Sequence, residues 1–487
     1  MPETEVATDT PLPFTSTVAT YQPEETQRLT QTKTQIEQAP ATPTKTPTNT
    51  ATPTQRVSIT PTLTGFPTAR DNSIRPAGDL VFLSAGELSL WSRFDGSISR
   101  LLQAQKTSES TLSVTPVANN DRVAEYTLDR INQRLVILRS RGISANGVEL
   151  FNLELFDLRD ASSRVLLEET PAVYNIGVSS DGEWVSYTFQ PRGGGPIFSI
   201  NTEGNAEPII VGVCQARSED ECDISWHSEH AVVMWSDLFG VWWSAPPEFT
   251  PVKVIDNQIK IVDLGGKEMT IDVNISSMRW SPKGRYLLAL IKPLRSEVRW
   301  QGVIDTLRGE ISEVPGTYEY ELPTAAVDWL PDGSLLVIHK YSGANRNQMQ
   351  VTVYNLYPTS ASLLIPHQSF NIDLNNWAQS EILSNEEIEI FPRYVQPESN
   401  RRVWVIFSST QAGSISWLYQ VDIKYRSITE SYDLPQGVSS IIWSVDNSEA
   451  IFTAQPDGYY YFNTDNLLVY DIKPLLGKEN CCFQWVP

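Results

Sequence analysis

Met278-Arg-Trp280-Ser-Pro-Lys-Gly284-Arg-Tyr-Leu-Leu-Ala-Leu290 decides the reading of this chain. A tryptophan closes one extended segment, Ser-Pro-Lys-Gly makes a tight turn, and an apolar run opens the next segment. Proline presets one turn dihedral and glycine supplies the positive φ that a two-strand hairpin requires. The same register returns in Trp226-His-Ser-Glu-His230, Trp329-Leu-Pro-Asp-Gly333 and Trp443-Ser-Val-Asp-Asn447, each followed by a Val-, Leu- or Ile-rich run. Weaker copies are Gly177-Val-Ser-Ser-Asp-Gly182 before Glu-Trp-Val-Ser-Tyr-Thr-Phe189, and Val114 to Asp121 before Arg-Val-Ala-Glu-Tyr126. Each copy therefore predicts a β-hairpin, and the spacing of about fifty residues is that of a propeller or solenoid.

A second signature follows each hairpin, a strand that runs into a polar turn. It reads Leu90-Trp-Ser-Arg-Phe-Asp-Gly96, Leu155-Phe-Asp157, Ile197-Phe-Ser-Ile-Asn201, Val303-Ile-Asp305, Val353-Tyr-Asn355, Leu418-Tyr-Gln-Val-Asp422 and Leu468-Val-Tyr-Asp471. A more polar fourth strand comes next, such as Ser97 to Leu102. Four antiparallel strands per repeat make one propeller blade, so the fold class expected is an all-β propeller.

The combination Trp-Ser-Pro-x-Gly, apolar strand, then Leu-x-Val/Tyr-Asp resembles the TolB-like, WD-like β-propeller repeat, over nearly everything after residue 75. Eight units are counted, at about 78–103, 112–168, 173–212, 222–256, 275–315, 325–366, 388–434 and 438–475. The short fourth and long second units leave seven open, and Gln258 to Asn274 stays unassigned. TolB itself has an α/β domain ahead of six blades, so no role in the Tol system carries over. Phe483-Gln-Trp485-Val-Pro487 reads as the Trp-strand of a blade with nothing after it, and the first blade lacks that strand. The two ends are expected to pair and close the ring, which removes two exposed sheet edges.

Residues 1–73 form a different territory, rich in Thr and Pro, with runs such as Ala41 to Thr54. Such composition cannot bury enough apolar surface to offset ordering entropy and predicts a disordered stalk ahead of a propeller at 74–487. The segment resembles the Thr-Pro spacers of bacterial envelope proteins. The first residues carry no basic region followed by an apolar one, so an export signal or lipid anchor is expected to have been removed. No apolar run is long enough to span a bilayer. With 58 acidic against 37 basic residues and a formal charge of −21, a phosphate backbone is repelled, and nucleic acid is not an expected partner.

Of four cysteines, Cys214 and Cys222 close a short loop and are expected to form a disulfide in an oxidising compartment. Cys481 and Cys482 are adjacent, and between free thiols and a strained eight-membered ring the sequence does not choose.

Chemistry is sparse. His227, Glu229 and His230 offer three ligands within four residues, but the repeat puts them in a hairpin turn, so no metal is expected. Gly177 to Gly182 lacks the last glycine of a nucleophile elbow, with Asp181 in its place, and Pro191 to Pro196 lacks the Lys-Ser/Thr of a phosphate loop. Trp242-Trp243 and Tyr459 to Phe462 are read mainly as packing between blades, as are the repeat tryptophans Trp226, Trp280, Trp329, Trp443 and Trp485. No cofactor is expected. The function expected is an extracytoplasmic, monomeric binding or scaffolding module for a protein or glycan of the cell envelope. The alternative is a glycoside- or polysaccharide-processing enzyme with carboxylates at the channel mouth.

Overall fold

A computed structural model describes residues 74–102, 122–190, 194–204, 207–215, 222–262, 268–319, 325–340, 348–357, 363–374, 390–409, 416–435, 437–454, 458–477 and 480–487. The stalk at 1–73 lies outside the described residues. The strands form eight antiparallel sheets, seven of four strands and one of five, so the chain is an eight-bladed β-propeller. Among the described residues, no helix is long and apolar enough to cross a membrane.

Each blade is laid down in chain order, and its first strand lies against the first strands of its neighbours. Val123–Asp129 touches Tyr174–Val178, which touches Asp223–Trp226, which touches Glu268–Trp280; Ala325–Trp329 touches Ile390–Pro397. The first strands therefore form the inner ring. Apolar side chains gather into eight clusters, one at each blade-to-blade boundary. A sheet buried on both faces by its neighbours explains strands such as Val403–Phe407, in which every side chain is buried.

The ring closes as the sequence predicts. Asn480–Trp485 pairs with Leu80–Ser84, with Trp485 opposite Leu80 and Gln484 opposite Val81. Trp485 is buried, its Nε1–H donates to the Ile442 carbonyl of the last blade at 3.1 Å, and the Phe82 and Phe483 rings stack at 5.6 Å.

Five hairpin turns are capped by the residue after the Trp position. The Ser179, Ser281 and Ser444 hydroxyls accept the amides five residues on, from Trp184, Tyr286 and Glu449 at 3.0, 3.1 and 3.0 Å. His227 Nδ1 and an Asp129 carboxylate oxygen instead accept the amides two and three residues on.

Two expectations need correction, and one open stretch is filled. In the second blade the run after Asp121 is the first strand, Val123–Asp129, and not the second; the hairpin turn follows it, with Leu128 opposite Leu135. The signal was lost because Leu128 stands where sister blades carry Trp, and Gln133, not glycine, takes the positive φ of 52°. In the last blade the third strand is Gly458–Asn463, and Leu468–Asp471 is the fourth. Both segments are apolar and end in Asp or Asn, and only the sheet order separates them. The unassigned stretch supplies a fifth strand, Gln258–Val262, paired with an overlong first strand, Glu268–Trp280. The short fourth unit is therefore a complete blade, which settles the number at eight.

Candidate functional site

Two polar belts fix the blades before any surface is presented. On the inner ring, the Arg279 guanidinium donates to the Val327 carbonyl at 2.9 Å and pairs with Asp328 at 3.2 Å. Arg393 donates to the Val438 carbonyl at 2.8 Å, the Asp223 carboxylate accepts the Met278 amide, and the Tyr126 hydroxyl reaches the Val81 carbonyl at 2.8 Å and the Cys482 carbonyl. Burial raises the carboxyls of Glu125 and Asp328 above their ordinary range; for Asp328 the Arg279 charge opposes this. At the hairpin turns, Arg134 bridges Asp129 to the Gly182 carbonyl at 2.6 Å, and His227 Nε2–H donates to the Gly284 carbonyl at 2.8 Å.

The five repeat tryptophans all act across boundaries. Trp226 Nε1–H donates to Ser186 Oγ at 2.8 Å and Trp329 Nε1–H to the Arg279 carbonyl at 3.2 Å, each in the preceding blade. Trp280 lies 4.3 Å from the His227 ring, and Trp443 stacks on Trp404 at 5.7 Å. Of the tempting aromatics, Tyr459 donates to the Asn480 carbonyl at 2.7 Å, Phe462 is buried, and Trp243 packs between blades four and five. Trp242 Nε1–H donates to Asp237 at 3.0 Å under the Lys253 ammonium.

His227 is occupied rather than open. Its Nδ1 accepts the amides of Glu229 and His230 at 2.9 and 3.1 Å, which places the ring proton on Nε2 against Gly284. Burial lowers its pKa, the Gly284 contact partly offsetting. Among the described residues no group of three or more His, Cys, Asp and Glu is arranged to hold a metal. Ser179 caps its own turn through Asp181 and Trp184, and Pro191 to Gly193 lie outside the described residues. Cys214 and Cys222 form a disulfide across the passage from blade three to blade four, both buried. Cys481 and Cys482 are exposed and not joined.

The surface that the repeat did not announce is the end of the propeller carrying the turns between strands one and two and between strands three and four. Antiparallel order puts both turns of every blade on that one face. The Asp or Asn that ends the third strand caps its turn: Asp305 accepts the Leu307 amide at 3.1 Å, Asp422 the Tyr425 amide at 2.8 Å, Asn463 the Asp465 amide at 2.8 Å. A capped turn holds its middle residues outward, and several of these are apolar. Phe94 is 74% exposed, Leu307 77%, Tyr425 65%, and Ile131, in a first turn, 65%. Tyr357, Val445 and Leu467 add to the same face. Arg93 lies 5.0 Å from the Phe94 ring and Arg401 4.6 Å from Tyr425, so two of these rings are flanked by cations.

Two grooves open between the turns. One, of about 400 Å³ between blades seven and eight, is lined by Glu398, Arg402, Trp404, Glu430, Asp446 and Asp465. The other, of about 480 Å³ between blades five and six, is lined by Lys283, Arg285, Tyr286, Asp332, Asn355 and Tyr357. For Asp446, burial pulls upward but hydrogen bonds from Ser448 and Ser444 outweigh it, and the carboxyl lies below its ordinary value.

No family model matches the chain, and no curated protein matches it. Among solved structures it is similar to the dihydro-heme d1 dehydrogenase NirN in complex with DHE, at 12% identity and a TM-score of 0.46 over 86% of this chain and 77% of that one. It is also similar to dipeptidyl peptidase 4 of Porphyromonas gingivalis, at 11% identity and 0.49 over 82% of this chain and 59% of that one. A putative 6-phosphogluconolactonase of Bacteroides fragilis gives 13% and 0.37, covering 77% of this chain and all of that one. None of these likenesses bears on what this chain binds or does.

Proposed function

We propose that this chain is an extracytoplasmic binding or scaffolding propeller that engages a protein of the cell envelope through the face carrying the first and third turns. The observation that carries the reading is the set of outward apolar tips, Phe94, Ile131, Leu307 and Tyr425, held by capped turns on one face. Exposed apolar side chains rimmed by charge are the composition of a contact surface, and aromatic residues beside arginine anchor such contacts. The disulfide agrees with an oxidising location, and the Thr/Pro-rich residues 1–73 serve as the tether. A glycan partner would use the same face through Tyr357 and Tyr425.

Processing of a polysaccharide would require a carboxylic acid held protonated near neutral pH beside a second carboxylate. Burial raises Glu125 and Asp328 on the inner ring, but Asp328 is paired with Arg279, and Asp446 in the groove between blades seven and eight is shifted the other way.

The test places a photoreactive amino acid at Phe94, Leu307 or Tyr425, and in parallel at Val148 and Phe239 in second turns on the opposite face. Crosslinks in the native envelope are expected from the first set alone. A partner captured only from Val148 or Phe239 would assign binding to the other face.

A further inference from the structure

The two cysteines of the closing strand meet where strand geometry should keep them apart. Consecutive residues of a strand point to opposite faces. Here Cys481 pairs with Leu83 and Gln484 with Val81, so Cys482 and Phe483 together oppose Phe82 alone. That extra residue is a β-bulge, and Cys482 takes a φ of +60°, which re-aims its side chain. The sulfurs consequently lie 2.7 Å apart, with the Cys482 thiol donating to Cys481 Sγ. Both side chains are exposed.

The backbone that holds them is anchored. The Tyr126 hydroxyl bridges the Cys482 and Val81 carbonyls, the Tyr459 hydroxyl accepts the Asn480 amide at 3.0 Å, and Trp485 is buried three residues on. Positive φ recurs at bulges in two sister first strands, at Asn175 and Ser277. The bulge is therefore a feature of the inner ring that blade one fills with a thiol. Because the Cys482 thiol donates to it, Cys481 is held down at about 7, while Cys482 is pushed up. A thiolate at neutral pH is the form that attacks a disulfide.

We infer that Cys481 and Cys482 are a redox-active pair on the inner ring, which closes to an eight-membered disulfide ring by exchange with a small-molecule or protein disulfide. The Cys481 thiolate attacks one sulfur of the incoming disulfide, forming a mixed disulfide and releasing the first thiolate. Cys482 gives its proton to that thiolate and attacks Cys481 Sγ, releasing the second, which takes up from solvent the proton that Cys481 had given up. Two cysteine thiols lose two electrons, and one disulfide gains them to become two thiols. Closure replaces an ionisable, nucleophilic pair with a neutral ring at the seam where the chain ends meet. The reduced pair is a two-sulfur chelate for a trivalent arsenical.

The full chain should be equilibrated with glutathione disulfide, alkylated without reductant and mapped by peptide mass. The expected peptide contains 481–482, is lighter than the dithiol form by two hydrogens, takes no alkylating agent and comes from monomer. Mild reduction that spares Cys214–Cys222 should restore two alkylatable thiols and binding of one phenylarsine oxide per chain, lost in both Cys481→Ser and Cys482→Gly. Two thiols that stay alkylatable throughout, a stable mixed disulfide with glutathione, or crosslinking between chains would each overturn the pair as a closing switch. Arsenical binding that persists in both variants would overturn it as a chelate.

Discussion

Glu449, buried in the second strand of the last blade, accepts the backbone N–H of Ala77 at 2.7 Å across 372 residues of sequence. The same oxygen accepts the hydroxyl of Tyr461 and, at 3.2 Å, the amide of Asn463. Burial raises this carboxyl above its ordinary value, and the hydrogen bonds work against that shift. It forms a lock beside the pairing of Asn480–Trp485 with Leu80–Ser84, so ring closure does not rest on strand hydrogen bonds alone.

Glu449→Gln keeps an acceptor for the Ala77 amide while removing a buried charge, and is expected to change stability by less than about 1 kcal/mol. Glu449→Leu strands three donors and should cost about 2–4 kcal/mol, from about 1–3 kcal/mol for each buried group left unpaired, with part recovered by apolar packing. Denaturant melts of both variants check this. Equal losses for Gln and Leu would show that the charge itself holds the lock.

Trp485→Ala should cost about 3–5 kcal/mol, the usual range for removing a buried large aromatic. The indole is buried and holds the Ile442 carbonyl. Deleting 481–487 should go further, raising hydrogen exchange in Leu80–Ser84 and in Val438–Trp443 together. Exchange that rises in only one of these strands would mean that the seam is not shared.

His227→Ser installs the cap that sister blades use at Ser281 and Ser444. The His227 pKa is lowered from 6.5, chiefly by burial, so below about pH 7 the unfolded chain takes up a proton that the folded chain refuses. Stability contributed by the neutral ring is present above 6.5 and is lost as pH falls through the lower folded value. The variant's stability should therefore fall less between pH 7 and 5 than the parent's. Parallel profiles would show that the ring protonates in place. His339, lowered by the same cause, remains in both proteins and cancels in the comparison.

Reducing Cys214–Cys222 should lower stability by about 2–3 kcal/mol, the loop being short. Calorimetry with and without reductant, on Cys481→Ser so that only this bridge changes, gives the number. No change in the transition would mean that the passage between blades three and four is already fixed by Trp226 on Ser186.

The hairpins were legible in residues 278–290 and their copies because turn chemistry and strand alternation act over a few residues. An unmatched Trp-strand at the chain's end foretold the seam for the same reason: Trp485 carries a local pattern with an empty place to fill. Where the local signal was replaced, as by Leu128 for tryptophan and Gln133 for glycine, the reading slipped by one strand. The apolar tips had a faint signature, an apolar residue two to four places beyond the third-strand Asp or Asn, visible only once all blades are aligned at Leu307, Tyr357, Tyr425 and Leu467.

By itself, then, the sequence determined blade chemistry, the repeat and the pairing of its two terminal strands, since each is set by backbone preference and side-chain alternation within a repeat, while the sheets of the folded chain fixed the number of blades at eight. Tertiary structure alone decided that Arg279 meets Asp328, that His227 sits under Gly284, that Tyr126 holds Cys482, and that Phe94 and Tyr425 share a face. Those relations depend on the angle between neighbouring blades and on a positive φ at single bulge residues. Neither is encoded in any one repeat, because both arise only when eight sheets press against one another and the ring has to close.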